Sequence, residues 1–246
     1  MAIYYGGNYS DVSKITGPSG FYNIKTALGP HTVYVDQTYD GGGWVCVLAN
    51  RINTGGLVGL TYANAVNKCN YRYSTSAVGA STVVDETSKL SGLENYNIFV
   101  GTSLWSYLAG RVTSSKITIV QFVGGTAGIK LGSTASHTKR YRWRFDNFNS
   151  TYAMVGGTAL SDETGTGAPG FYTYHVANGF SLSTGDQDQD AYGSACSVNY
   201  GSQPWWYGAC WDGNYFGGGN SGSHQDGPYW ASSGGDYHNY GAVYIK

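Results

Sequence analysis

Between residues 182 and 211 the sequence crowds together features that leave a chain little conformational freedom. Asp186, Asp188 and Asp190 stand at every second position, separated by Gln187 and Gln189. No apolar period runs through them, so the stretch reads as a loop. Like charges held this close repel, and a fold that contains them must compensate them. Just downstream, Cys196 and Cys210 bracket the pair Trp205-Trp206. The cysteines have two readings. A disulfide closing a loop of this length contributes roughly 3 kcal/mol by chain entropy. Two buried free thiols are what a reducing compartment favours.

The acidic loop also has two readings. Calcium takes hard oxygen ligands and tolerates irregular geometry. An EF-hand would need Gly and Glu at its sixth and twelfth positions. Counted from Asp186 those positions hold Ala191 and Ser197, so this is not an EF-hand. The plainer reading is an exposed acidic turn capping nearby amides.

The chain has 246 residues, room for one large domain or two small ones. No linker or repeat divides it, which favours a single unit. Charged residues make up 12% and the formal net charge is -1, which speaks against a general nucleic-acid binder. Gly is abundant at 38, without a collagen period, and Tyr numbers 23. Together they predict a loop-rich fold with aromatic faces and turns at positive φ. No apolar run approaches a membrane span. The opening Met1–Asn8 has neither a basic n-region nor an apolar h-region, so the chain is expected to be made without a signal peptide.

Residues 1–16 are polar and turn-rich and read as an N-terminal attachment arm, leaving 17–246 as the domain. Phe21–Ile24 and His31–Val35 read as short strands, Asp40–Gly43 as a turn and Trp44–Leu48 as a buried strand. Ala63–Cys69 and Ser103–Ala109 are short helix candidates, the second with Leu104, Trp105 and Leu108 on one face. Lys116–Val123 is a strand. In His137–Phe145, Arg140, Arg142 and Arg144 alternate with Tyr141, Trp143 and Phe145, the pattern of an amphipathic strand with a solvated basic face. Turns dominate from Gly156 to Gly179. From Phe180 the chain reads as almost all loop until a closing strand at Tyr240–Ile245. The class is α+β, strand- and loop-rich with short helices.

Tyr200, Trp205, Trp206, Tyr207, Trp211 and Tyr215 form an aromatic cluster. Aromatic faces stack on sugars and methyl groups. At least one of the adjacent tryptophans is expected in the core, and the rest are expected to leave an exposed aromatic patch, the kind that binds a partner. Cys46 and Cys69 read as core thiols. Signs of catalysis are thin. The Gly219–Ser223 loop lacks a nucleophile elbow. Nothing in the spacing of Asp212 and Asp226 selects them as a glycosidase pair. The chain is expected not to be an enzyme.

These segments together resemble the fibrinogen C-terminal-like domain, the family of ficolins, tachylectins and the globular ends of fibrinogen. Ser19–Ile24 (SGFYNI) is similar to its opening strand, and Val33–Val35 with Asp40–Trp44 (DGGGW) to the segment after it. Leu182–Asp190 (LSTGDQDQD) looks like the family's calcium loop, and Cys196 follows at the family spacing. Trp205–Cys210 (WWYGAC), Asp212–Tyr215 (DGNY) and Tyr229-Trp230 through Ile245 match later motifs in order. Gly41–Leu48 is also similar to the related intelectins.

The resemblance implies one Ca2+ held by the Asp188 and Asp190 side chains and by main-chain carbonyls of Tyr192 and Ser194, with Asp186 in support. It implies a Cys196–Cys210 disulfide. It implies a ligand pocket at Tyr200, the Ala209-Cys210 peptide and Trp211, with Tyr237 beside them. Departures are visible. Val35 stands where the family has a cysteine, Trp211 where His is common, and the Cys196–Cys210 loop is one residue longer. The resemblance therefore implies a calcium-stabilised lectin-like domain recognising a cell-surface glycan, acetylated or acidic. Lack of a signal peptide points to a phage or viral receptor-binding fibre. Such a chain is expected at the virion surface as a homo-oligomer, a trimer by preference. Its N-terminal arm would contact other virion proteins, with no nucleic acid and no membrane insertion. The alternatives are a structural virion decoration or connector and a secreted innate-immunity-type lectin.

Overall fold

A computed structural model describes residues 4–51, 59–68, 70–73, 96–109, 117–123, 139–145, 147–155, 158–159, 179–210, 213–214, 229–230, 236–237 and 240–246. Chain order runs β1 (Tyr4–Tyr9), β2 (Gly20–Thr26), β3 (Gly29–Asp36), β4 (Trp44–Arg51), α1 (Tyr62–Asn67), β5 (Asn70–Tyr73) and β6 (Tyr96–Phe99). Next come α2 (Thr102–Ala109), β7 (Ile117–Val123), β8 (Lys139–Phe145), β9 (Asn147–Phe148), β10 (Met154–Val155), β11 (Thr158–Ala159) and α3 (Cys196–Asn199). Then follow β12 (Gly213–Asn214), β13 (Tyr229–Trp230), β14 (Asp236–Tyr237) and β15 (Tyr240–Ile245).

Among the described residues, one ten-stranded sheet runs in the order β1-β2-β3-β4-β15-β7-β8-β11, with β6 pairing β4 and β5. Its middle is apolar along whole strands rather than alternately, because both faces are covered. Trp44 through Ala49 and Ala242 through Ile245 are all buried. β15 runs antiparallel to both neighbours, with Val243 opposite Leu48 on β4 and Gln121 on β7. Tyr4–Tyr9, within the stretch read as an arm, pairs parallel with β2 at the sheet edge.

Strands form at the expected places, as Gly20–Thr26, Gly29–Asp36, Trp44–Arg51, Ile117–Val123, Lys139–Phe145 and Tyr240–Ile245, as do both helices, Tyr62–Asn67 and Thr102–Ala109. Cys69, Lys116, His137 and Thr138 lie outside the described residues. Asp40–Gly43 is a turn in which all four residues have positive φ. Gly101 opens α2 at φ +80, where an added Cβ would sit 2.8 Å from the Lys68 carbonyl. Only glycine lets the start of α2 lie this close to the end of α1.

Among the described residues the stretch after Phe180 is almost all loop, as expected, broken only by one turn of α3 and the small antiparallel sheet β12-β13-β14. Two-residue strands carry no periodic signal, and α3 is held by tertiary bonds rather than by propensity. No helix among the described residues is long and apolar enough to cross a membrane.

Candidate functional site

The acidic loop is built by folding back on itself. The Thr184 and Gln187 backbones bond each other in a tight turn, at 2.9 and 3.1 Å. The Gln189 amide donates to Ser183 Oγ at 2.9 Å, and its side-chain Nε2 donates to the Leu182 carbonyl at 2.6 Å. Ser183 in turn exchanges backbone bonds with Trp205 at 2.8 and 3.0 Å. The Ala191 amide donates to the Gly208 carbonyl at 3.1 Å. The loop is thus laced along one side to the segment that carries the tryptophan pair.

Each aspartate has a different task. Asp186 Oδ1 accepts from Thr184 Oγ1 at 2.7 Å and from the Tyr62 amide at 2.8 Å. Tyr62 is the first residue of α1, so this bond satisfies one of the amides a helix start leaves open. Burial raises the Asp186 carboxyl, but the bonds from Thr184 and Tyr62 outweigh it and hold it below the usual carboxylate range. Asp190 Oδ1 accepts from the Tyr192 amide at 2.9 Å, and its Oδ2 from the Cys196 amide at 2.8 Å. The N-cap of α3, Ala195, has no capping side chain, and Asp190 supplies the missing acceptor. Asp188 Oδ1 accepts from the Asp190 amide at 3.2 Å.

Burial, and then the neighbouring Asp188 carboxyl against the pull of those amides, leave the Asp190 carboxyl above its ordinary value. Two oxygen donors therefore face each other with incomplete compensation, which is the chemistry a hard cation relieves. Among the described residues no three His, Cys, Asp or Glu side chains converge as a metal-holding group. A cation here would draw on these two carboxylates and on main-chain carbonyls, for which Tyr192 and Ser194 lie on the same exposed stretch. The donor set fits.

Cys196 and Cys210 form a disulfide with Cα atoms 5.1 Å apart. Cys210 sits at φ +78, in the left-handed region that a residue with a Cβ seldom adopts. Ser197 Oγ and the Tyr207 hydroxyl both donate to the Gln203 carbonyl, at 2.6 and 3.2 Å, bracing the loop from within. Ala209 is exposed while Cys210 is buried. Tyr200 is half-buried and its ring stacks on Tyr207 at 6.4 Å.

Trp205, Trp206 and Tyr207 are 0%, 1% and 0% exposed, so the expectation that at least one of the tryptophan pair lies in the core holds for both, and these three rings add nothing to an exposed patch. Within its own loop Trp206 meets Trp205 edge-on at 5.5 Å. The rest of its cover comes from Phe148, stacked at 6.2 Å, and Trp105, edge-on at 6.0 Å. Of the residues expected in the pocket, Tyr200 is linked to Cys210 through Cys196, whose carbonyl accepts from the Tyr200 amide at 3.1 Å and whose sulfur is bonded to Cys210, and Ala209 precedes Cys210 in the chain. Tyr237 belongs to β14, with its side chain outside the described residues, and Trp211, Asp212, Tyr215, Asp226 and the Gly219–Ser223 loop also lie outside them, as does Cys69. Cys46 is a buried free thiol, and burial pushes it well above the ordinary thiol range. Sequence reasoning missed the Gln189 and Asp186 tethers, whose partners are far away in the chain or on the backbone.

The family model of the fibrinogen beta and gamma chains, C-terminal globular domain, matches residues 114–244, just over half of the chain. The fold is similar to the fibrinogen-like globe domain of human ANGPTL6, with a TM-score of 0.64 and 21% identity over 100% of this chain and 98% of that one. It is also similar to that of human ANGPTL2, with a TM-score of 0.62 and 18% identity over 97% and 98%. Lamprey fibrin D-dimer, solved with the peptide ligand Gly-His-Arg-Pro-amide, gives a TM-score of 0.65 at 16% identity, over 97% of this chain and 73% of that one. No curated protein matches by sequence.

Proposed function

We propose, from the premise that this chain belongs to the fibrinogen C-terminal globular domain family, that it is a calcium-stabilised binding domain for a cell-surface glycan. Asp188 and Asp190 would hold the ion with the Tyr192 and Ser194 carbonyls, and the ion would neutralise their charge. The observation that carries this reading is the Asp190 Oδ2 bond to the Cys196 amide. Through it the acidic loop is tied directly to the disulfide whose other end, Cys210, borders exposed Ala209 and half-buried Tyr200. A bound ion would thereby stiffen the neighbourhood of Tyr200, Ala209, Cys210, Trp211 and Tyr237, where an acetylated or acidic sugar would bind.

The reading extends to setting. A receptor-binding fibre at a phage or virion surface, trimeric and joined to other virion proteins through residues 1–16, fits a weak site strengthened by copy number. A structural decoration or connector is the second reading, and the full burial of Trp205, Trp206 and Tyr207 favours it. One experiment separates them. A glycan array is probed with wild type and Trp211→Ala, with calcium and with chelator. Binding lost on chelation and in the variant is expected. No binding to any glycan favours the connector, and release of reducing ends from envelope polysaccharide would point to an enzyme.

A further inference from the structure

A cavity of about 190 Å³ lies where residues 10–13, α2 and the sheet meet, and its lining shares no residue with the Cys210 neighbourhood. Its walls are aliphatic. Val45 and Ile245 stand opposite each other on β4 and β15, and both are buried. Buried Ile24 of β2 joins them in the lining. Val12 and Leu108, both half-buried, line it from the single turn Val12–Lys14 and from the end of α2. Exposed Ser10, Ser13 and Lys246 also border it, so the cavity is reached from solvent. Aliphatic walls offer water no hydrogen bonds, so an apolar group entering this space is favoured. A cavity of roughly 150 Å³ with such a lining takes up benzene. The space here suits one branched or aromatic side chain.

Two opposite charges border the same cavity. Lys246 Nζ donates to the Asp40 carbonyl at 2.8 Å and lies 5.7 Å from the centre of the Trp44 ring. It is laid along the Asp40–Gly43 turn, where an added Cβ at Gly41 would come within 3.6 Å of it. A carbonyl and a ring face leave the ammonium with hydrogens to donate and, among the described residues, with no carboxylate partner. Asp11 Oδ1 accepts from the Ser13 amide at 3.0 Å and caps the turn Val12–Lys14. Lys14, the nearest cation in sequence, donates to Ser10 Oγ at 3.4 Å instead, and Asp11 has no cationic partner among the described residues. An anionic ligand would be repelled by Asp11, and a cationic one by Lys246. A ligand that carries both charges satisfies both. An α-amino acid holds an ammonium and a carboxylate on a single carbon, next to its side chain.

We propose that this cavity binds a free apolar α-amino acid of the size of leucine or phenylalanine. Its side chain packs against Val12, Ile24, Val45, Leu108 and Ile245, its carboxylate meets Lys246 and its ammonium meets Asp11. The site needs neither calcium nor the Cys210 neighbourhood. Because residues 10–13 form part of the wall, the bound amino acid also holds the N-terminal segment against the sheet.

The test is an amide-resolved NMR titration of the full chain with L-leucine and L-phenylalanine. Shifts are expected at the lining residues 10–13, 107–108 and 245–246. Glycine, without a side chain, should give none. N-acetyl-leucine lacks the positive charge and leucinamide the negative one. Each should bind about tenfold more weakly than leucine, the order of one lost charge-assisted hydrogen bond. Asp11→Asn keeps the cap to Ser13, because Asn caps as well as Asp. Lys246→Gln keeps a donor for the Asp40 carbonyl, so both variants should hold the wild-type Tm. Each should weaken leucine by about tenfold, and Asp11→Asn should bind N-acetyl-leucine no worse than wild type does. No shift with either amino acid, shifts confined to other residues, or unchanged leucine binding in both variants would overturn the site. Equal binding of leucine, N-acetyl-leucine and leucinamide would overturn it too. Leucinamide binding as well as leucine, with N-acetyl-leucine weaker, would point to the first residue of a peptide and overturn the free amino acid.

Discussion

Asp186 Oδ1 accepts the backbone hydrogen of Tyr62 at 2.8 Å, across a sequence separation of 124 residues. A carboxylate of the acidic loop thereby finishes a helix in the first third of the chain. Asp186→Ala should lower stability by about 1 kcal/mol, the usual worth of such a cap. Asp186→Asn should lose less, and amide exchange at Tyr62 should quicken in both. The sign with pH follows from the lowered Asp186 carboxyl. Its stabilisation is present above the unfolded-state value and is lost as pH falls through the lower folded value, below about pH 4. Urea unfolding of wild type and Asp186→Ala should therefore converge in acid.

Asp190 has the opposite sign. Its carboxyl is raised, so in the metal-free protein its ionisation costs stability as pH climbs from the unfolded-state value through the raised folded one. Asp188→Asn removes the neighbouring charge. It should raise the Tm of chelated protein slightly and abolish the rise expected from calcium in wild type. An equal Tm shift by calcium in both proteins would place the ion elsewhere.

The disulfide spans a separation of 14 residues. Cys196→Ala with Cys210→Ala should cost about 3 kcal/mol in denaturant unfolding. Because Cys210 sits at φ +78, Cys196→Ala with Cys210→Gly should be more stable than the double alanine by about 1 kcal/mol.

Trp206→Phe keeps a ring against Phe148 but removes the Nε1 donor to the Tyr152 carbonyl. A cost of about 1–3 kcal/mol is expected from the bond lost and the space left. The Tyr152 turn should loosen, visible as line broadening at residues 149–153.

Much of the sheet was legible because its strands write their own pattern. Trp44–Leu48 and Lys116–Val123 are apolar runs, and Tyr240–Ile245 is bounded by turn residues. The pairing was not legible, since nothing local tells Val243 that Leu48 and Gln121 flank it. At the site, residue types revealed a crowded carboxylate loop and left the state of Cys196 and Cys210 open. That both Trp205 and Trp206 are buried, rather than one of them, was not legible for a physical reason. The covering side chains, Trp105 and Phe148, come from α2 and β9, and a loop read alone cannot count neighbours it does not contain. Tyr152 went unremarked because a positive φ at tyrosine has no sequence signature.

β15 lies between β4 and β7 in the sheet yet follows every other strand in the chain. Among the described residues the two halves of the sheet share no other ladder, so during synthesis they stay unjoined until this segment clears the ribosome. Everything between, the acidic loop and its disulfide included, must wait beside an open cleft with two unpaired edges. A chain of this topology is expected to complete its sheet late, and until then those edges are open to a neighbouring strand. A chaperone or a fellow subunit holding that cleft would act on yield long before it acted on binding.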